Sequence, residues 1–318
     1  MKKPLVVLTG PTAVGKTKLS IELAKAINGE IISADSMQIY KKMNIGSAKI
    51  SLEEMAGVEH FLIDVLDPQE SFNVVTFQQM AKAAIEDIYS RGKTPIIVGG
   101  TGFYIQAILN DISFDDNPSS TKIRHRLEQE LQEIGSEALH AKLAAKDPKA
   151  AGEIHHNNSK RVIRALEFHE QTGKKISEHN REQREKTSPY NFAYFVLNDE
   201  RQNLYNRIDE RVDAMIKAGL VEEVSTLHGE GYNKEMVSMQ GLGYKEILDY
   251  LSGEIALDEA IYIIKRDTRH FAKRQLTWFK REREVIWINK DEFGYDDKRI
   301  LKYMLAKCRE RKALNGES

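Results

Sequence analysis

The stretch that decides the fold is Gly10-Pro11-Thr12-Ala13-Val14-Gly15-Lys16-Thr17. It fits G-x-x-x-x-G-K-[ST], and it follows the compact apolar run Leu5-Val6-Val7-Leu8. After it, over residues 17–26, Leu19, Ile21, Leu23 and Ala24 recur with helical spacing. Strand, glycine loop and helix are the context in which this motif works. The glycines let backbone N–H groups turn inward around an anion, and the helix N-terminus adds its dipole. Lys16 neutralises terminal phosphate charge, and Thr17 offers a hydroxyl to magnesium. Polyphosphate binding follows, although the loop reads phosphates and not what they are attached to.

Working outward, similar short runs recur at 30–34, 61–65, 95–99, 192–197 and 285–288, with a helical pattern over 75–90 between two of them. The alternation predicts an α/β fold, a P-loop NTPase-like core built on a mostly parallel sheet. Between 119 and 190 no strand pattern is found, and Gly135, Asp147-Pro148, Asn157-Asn158 and Gly173 divide the segment into four helix-sized pieces. An inserted all-helical domain is therefore expected over 119–190, with 1–118 as the first part of the core and 191–318 as its remainder plus basic C-terminal helices. Within the insertion, Ser159 is the expected cap of a helix over 160–172 that buries Val162, Ile163, Leu166 and Phe168 and ends at Gly173. Residues 204–215 and 257–279 read as arginine-rich helices, and a charged terminal helix beyond Asp296 is expected to fray into 315–318.

Composition excludes several classes. A chain of 318 residues with 41% hydrophobic and 30% charged side chains is neither disordered nor collagen-like. No apolar run approaches the roughly 18 residues of a membrane span, so no membrane partner is expected. One cysteine, Cys308, excludes an intrachain disulfide framework and a multi-cysteine zinc site, and fits a reducing cytoplasm. The 47 basic and 48 acidic residues give a formal charge of −1, which carries no hint of a nucleic-acid partner.

Ile31-Ile32-Ser33-Ala34-Asp35-Ser36-Met37-Gln38 places Asp35 just past the carboxyl end of the second strand, where open α/β sheets carry their ligands. A carboxylate there can ligate magnesium or accept a proton from a nucleophile, or it can simply cap the next turn. Gly99-Gly100-Thr101-Gly102 follows the fourth strand at the same edge, so Thr101 is a candidate donor to a reacting group or a bridging phosphate oxygen. An ATP hydrolase also needs a magnesium-binding acid on a neighbouring strand. Phe61-Leu62-Ile63-Asp64 offers a match, but 95–98 ends in a loop with no acid.

Taken together, 10–17, Ser33-Ala34-Asp35-Ser36-Met37-Gln38-Ile39-Tyr40, Gly46-Ser47-Ala48-Lys49, 99–104, 161–167, Gly243-Tyr244-Lys245-Glu246 and Lys273-Arg274-Gln275-Leu276-Thr277-Trp278-Phe279 resemble the bacterial tRNA isopentenyl transferases, the tRNA dimethylallyltransferase family. The blocks run in the family's order over nearly the whole chain. Ile50 departs from the family's more frequent proline, and Asn158 from an aspartate that often precedes the 161–167 block. The resemblance implies transfer of a dimethylallyl group from dimethylallyl diphosphate to the exocyclic amino nitrogen of the adenosine 3′ of the anticodon. The P-loop, residues Gly10, Pro11, Thr12, Ala13, Val14, Gly15, Lys16 and Thr17, would then hold a pyrophosphate leaving group with magnesium as cofactor. In that reading Asp35 takes the amino proton, while Lys16 and Thr17-bound magnesium stabilise the departing charge. Thr101 would contact the amino group or the phosphate. Arg207 and Arg211, four apart on one helical face, are candidates for a further phosphate clamp, with pairing to Asp209 or Glu210 as the alternative.

The RNA surface is expected in two places. Residues 265–283 hold Lys265, Arg266, Arg269, Lys273, Arg274, Lys280, Arg281 and Arg283 against Asp267 and Glu282, a local charge of +6. Lys273, Arg274 and Arg281 are the chosen phosphate contacts, and His270, Phe271, Trp278 and Phe279 are interleaved with them. For Trp278 and the two phenylalanines, the buried face of an amphipathic helix is the favoured reading. In the insertion, Arg124, Arg126, Lys160, Arg161 and Arg164 are the better contact candidates, and a metal site from His155-His156 is discounted because adjacent residues do not share a helical face. Resemblance implies that this domain embraces the anticodon stem-loop, whose adenosine turns out of its stack toward Asp35, with Ser36, Met37, Gln38 and Thr101 meeting the RNA. A cytoplasmic monomer is expected. The competing readings are a P-loop kinase of a nucleotide or small metabolite, a prenyltransferase of free adenine nucleotide, and a non-catalytic RNA-binding nucleotide sensor.

Overall fold

The computed structural model describes residues 2–114 and 120–315. Among them β1 (Lys3–Thr9), β2 (Gly29–Ser33), β3 (His60–Phe61), β4 (Thr94–Gly99), β5 (Tyr190–Asn198) and β6 (Val285–Asn289) form one sheet. Its order is β3-β2-β4-β1-β5-β6, and each neighbouring pair is parallel. This is the α/β, P-loop-like sheet expected. The third strand is shorter than the apolar run 61–65, because Leu62 and Asp64 adopt left-handed backbone (φ 64° and 55°) and end the ladder after Phe61.

Strand pleating divides β1 between two layers. Val6 and Leu8 pack on α1 (Lys16–Ala26) through Leu19 and Leu23. The same cluster takes in Leu204 and Ile208 of α9 (Arg201–Lys217) and Ile300 and Met304 of α13 (Asp297–Glu310). Leu5 and Val7 face the other way, into a cluster with α3 (Val74–Ser90), α4 (Gly102–Leu109), α10 (Leu220–Gly229), α11 (Tyr244–Leu251) and α12 (Leu257–Phe279). Each fully buried aliphatic side chain contributes roughly 1.5–3 kcal/mol, so the four central residues of β1 alone anchor both layers. In α3, Asn73 caps the start by accepting from the Val75 and Thr76 N–H groups (2.8 and 3.1 Å), and Phe77, Ala81, Ile85 and Ile88 form its buried stripe. A short helix, α2 (Leu52–Met55), is closed by a Ser51–Glu54 capping box.

Residues 110–188 form a second compact unit, and 1–109 with 189–318 form the first. The boundary expected at 118/119 lies outside the described residues. The second unit holds α5 (Ser120–Lys146), α6 (Pro148–Glu153), α7 (Ser159–Thr172) and α8 (Ile176–Glu185), with its own core of Leu127, Leu139, Leu143, Val162 and Leu166. Gly135 kinks α5 with φ 80° and ψ 168°. Asp147 accepts from the Ala150 N–H (3.0 Å) to start α6 at Pro148. Ser159 is not the cap of α7. The Asn158 carbonyl already accepts from Arg161 and Val162 (2.9 and 3.0 Å), so Ser159 is the first helical residue, and Asn158 stands at the cap without a side-chain bond. Gly173 ends α7 in the left-handed conformation, as expected (φ 70°). The terminal helix α13 ends at Glu310, and Asn315 beyond it is not frayed but tied down. Its backbone N–H donates to Thr94 Oγ1 (3.1 Å) and its side-chain amide donates to the Lys93 carbonyl (3.2 Å), while 316–318 lie outside the described residues.

Candidate active site

Because the sheet is parallel, the loops after β1, β2 and β4 leave from one edge, and the strand order makes them neighbours. They are also stitched together. Thr9 Oγ1 donates to the Gly99 carbonyl (2.6 Å), the Ala34 N–H donates to Val98 (2.8 Å), and the Thr101 N–H donates to the Ala34 carbonyl (3.2 Å). Lys16, Asp35 and Thr101 are thereby held on three adjoining loops.

The P-loop turns into α1 at Gly15, whose φ of 98° is a conformation that side chains oppose, so glycine is required at this position. Lys16 Nζ curls back to donate to the Gly10 and Pro11 carbonyls (3.0 and 2.8 Å). Burial in the loop, then repulsion from Arg211, opposed by attraction to Asp35, lowers its pKa to about 7. Arg211 is held below its usual range mainly by burial, with Asp35 and then Glu54 opposing. Lys16, Arg211 and Asp35 therefore form one electrostatic group, two cations and one anion. Thr17 is exposed in the first turn of α1.

Asp35 serves its own turn as well as this group. One carboxylate oxygen, Oδ1, accepts from the Met37 N–H (2.8 Å) and, more weakly, from Gln38 (3.4 Å). The turn-capping role and the site-facing role thus coexist. Beyond the turn, the Gln38 amide reaches the Ala48 carbonyl (3.3 Å), and the Met37 side chain abuts Gly241. Ser36 lies partly exposed between them.

Arg207 and Arg211 separate despite their spacing. Arg207 donates to Asp199, which is buried at the end of β5 and also bonded by Tyr295 Oη (3.3 Å). Neither Asp209 nor Glu210 is its partner, since Asp209 is taken by Arg269 (2.5 Å). Asp64 is likewise engaged, pairing with the buried Lys49 ammonium (2.5 Å) next to the edge strand β3, which β2 and β4 separate from β1. It does not supply the hydrolase acid that the motif reading left open.

The basic stripe is thinner than its local charge. Lys265 pairs with Asp213 (2.6 Å), Arg266 with Asp267 (2.8 Å) and Arg269 with Asp209. Among the described residues Lys273, Arg274 and Arg281 have no ion pair, and all three are exposed, the first two on α12 and Arg281 just beyond it. Arg274 lies over the Phe271 ring (5.8 Å to the centroid). Phe279 is fully buried, as favoured, and Trp278 is partly buried against the core, whereas Phe271 stands out at 36% exposure. In the second unit Arg124 and Arg164 converge on buried Glu167 (2.8 and 3.4 Å), and Arg126 pairs with Glu170. Lys160 and Arg161 are exposed in the first turn of α7, where the helix dipole disfavours cations. His155 and His156 stack on one another (4.2 Å between centroids), and no group of acids, histidines and cysteines among the described residues is arranged to hold a metal. The Thr17 hydroxyl, exposed in the first turn of α1 beside the loop, is a single oxygen donor, which fits an ion that takes most of its ligands from substrate phosphates.

Motif reading gave no role to Gln275, although it stands in the 273–279 block, and it missed Glu223 altogether. Gln275 bridges the P-loop and the Thr101 loop. Glu223 accepts from the N–H groups of Asn44, Ile45 and Gly46 (2.9, 2.7 and 3.1 Å) and from Tyr244 Oη (2.8 Å), fixing the segment that follows the Asp35 turn. The helical periodicity of α12 marks Gln275 as inward-facing, but nothing local shows what it reaches.

A P-loop that folds Lys16 back on itself, an Asp-bearing turn beside it and a helix with exposed cations packed on the same loops define a phosphate-binding site of the P-loop class next to a basic face. The chain belongs to the IPP transferase family, whose model matches residues 38–282. It is 62% identical over 294 residues to the tRNA dimethylallyltransferase of Lachnoclostridium phytofermentans, covering 92% of this chain and 94% of that one. Among solved structures it resembles the full-length tRNA isopentenylpyrophosphate transferase of Bacillus halodurans, with TM-score 0.74, 46% identity and 98% of each chain covered. It also resembles a eukaryotic dimethylallyltransferase acting on tRNA, with TM-score 0.80, 31% identity and coverage of 96% of this chain and 78% of that one.

Proposed function

We infer that this enzyme transfers a dimethylallyl group from dimethylallyl diphosphate to the exocyclic amino nitrogen of the tRNA adenosine 3′-adjacent to the anticodon, releasing pyrophosphate. Supporting this, beside family membership, is the meeting of Lys16, Arg211 and Asp35 in one electrostatic group at the P-loop. In the reaction a bond forms between the amino nitrogen and the first carbon of the dimethylallyl group, while that carbon's bond to oxygen breaks. The bonding pair leaves with pyrophosphate, and the amino proton passes to the Asp35 carboxylate. Backbone N–H groups of the P-loop, with Lys16 and Arg211, stabilise charge as it develops on the leaving group. Thr17, through its hydroxyl, would hold a magnesium ion together with diphosphate oxygens; when bound, the ion supplies positive charge against the leaving group. Thr101 positions the accepting amino group.

Arg207, tied to Asp199, is assigned to holding the base of α9 and so to aiming Arg211. The RNA is read as an anticodon stem-loop carried on Lys273, Arg274 and Arg281, and by Arg124, Lys160, Arg161 and Arg164 of the helical unit. A cytoplasmic monomer remains the proposed working form.

The test supplies anticodon stem-loop RNA, AMP, ATP, magnesium and labelled dimethylallyl diphosphate together. Label is expected in RNA alone; label in AMP, or phosphate transfer from ATP without label in either, overturns the reading. Asp35→Asn and Asp35→Ala should slow single-turnover transfer at saturating substrates by about 100-fold or more, with RNA affinity little changed. Rates within about tenfold of the parent remove Asp35 as the base.

A further inference from the structure

Helix α12 carries charge on one side and a single polar bridge on the other. Lys273 and Arg274 are exposed, whereas Gln275, the next residue, is 6% exposed. Its side-chain amide is used at both ends. Oε1 accepts from the Thr12 backbone N–H in the P-loop (2.9 Å), and Nε2 donates to the Gly100 carbonyl in the Thr101 loop (3.0 Å). A carboxamide suits this post because it offers an acceptor and a donor at the same reach. The loop is moulded to the helix around it. A β-carbon at Gly100 would lie 2.2 Å from Gln275 Nε2, and one at Gly102 would lie 2.2 Å from Cδ1 of Trp278, one turn further along.

We propose that Gln275 is a positioning residue, setting the separation between the P-loop, which takes the departing pyrophosphate, and Thr101, which meets the accepting amino group. The proposal rests on the function inferred above. Displacement at carbon needs nucleophile, carbon and leaving oxygen in line, and a misplacement of about 1 Å costs on the order of 100-fold in rate. Gln275 is bonded to the two loops that fix the ends of that line, and touches neither reacting group itself.

The experiment is a double-mutant cycle between Gln275→Met and Thr101→Val, read by single-turnover transfer to stem-loop RNA at saturating substrates. Gln275→Met keeps length and bulk but loses both bonds, and should slow transfer by roughly 10- to 100-fold while RNA affinity stays within about twofold. If Gln275 works through Thr101, the double variant is no slower than the slower single variant. Gln275→Glu, which keeps the acceptor for Thr12 but loses the donor to Gly100, covers the case in which the methionine variant fails to fold; it should show the same loss and the same non-additivity. Losses that multiply, or an unchanged rate in Thr101→Val, overturn the proposal. Because the parent is assayed alongside, absence of transfer by the parent refutes the inferred reaction, and an active parent with multiplying losses refutes only the role of Gln275.

Discussion

Lys16 shows how one side chain carries a cost that the site then uses. Its ammonium is enclosed by the loop beside a second cation, so its pKa falls from 10.5 to about 7. Between those values the unfolded chain binds more protons than the folded one, so this residue's contribution to stability improves as pH rises. The penalty is fullest below pH 7 and is gone above 10.5. Lys16→Met should therefore melt above the parent near pH 6.5, with the gap closing toward pH 10, while pyrophosphate binding is lost. Thermal melts across that range check it; a gap that is flat or grows with pH contradicts the assignment. At this scale the motif residues were legible, since the loop's spacing encodes its mechanism. The partners were not. Arg207 has acids two and three residues away, yet it bonds Asp199, because the end of β5 and the start of α9 bring a buried carboxylate under it.

Among the elements, five of the six apolar runs became strands over most of their length and the sixth, 61–65, gave only Phe61 to β3; the central β1, β4 and β5 are legible because their aliphatic residues are buried on both faces. Boundaries were less readable where backbone geometry decides them, as at Leu62 and Asp64, or where a carbonyl starts a helix one residue early, as at Asn158. Least readable was Glu223, whose four hydrogen bonds to residues 44–46 and Tyr244 join segments remote in sequence. Glu223→Ala leaves those N–H groups unpaired and should cost about 2–4 kcal/mol by denaturant unfolding. Because the same segment's Ser47 and Ala48 carbonyls face Gln38, the KM for RNA should rise as well. Glu223→Gln, keeping an acceptor, should lose about half as much stability. A neutral Glu223→Ala would show that the segment is held by packing alone.

For the whole molecule, the near-zero net charge hides its partner, and even the local count overstates it. Three of the eight cations in the basic stripe are consumed by acids on α9 and α12, which only the folded chain reveals. Replacing Lys273, Arg274 and Arg281 with alanine should lower the slope of log affinity against log salt by about 2 and weaken RNA binding roughly 10- to 100-fold, leaving pyrophosphate binding intact. Titrations at several salt concentrations check this, and an unchanged slope moves the RNA elsewhere. The sheet order also has a consequence for synthesis. β1 lies at the centre, yet its partner β5 pairs Tyr190 with Lys3 and Val196 with Thr9, and it is translated only after the helical unit. At about 5–20 residues per second the ribosome takes on the order of ten to thirty seconds to deliver it. Until then one edge of an apolar strand, Leu5 to Leu8, stands open to any other chain. A nascent or truncated chain ending before β5 is thus the form of this enzyme most exposed to aggregation, and the one with most need of a chaperone.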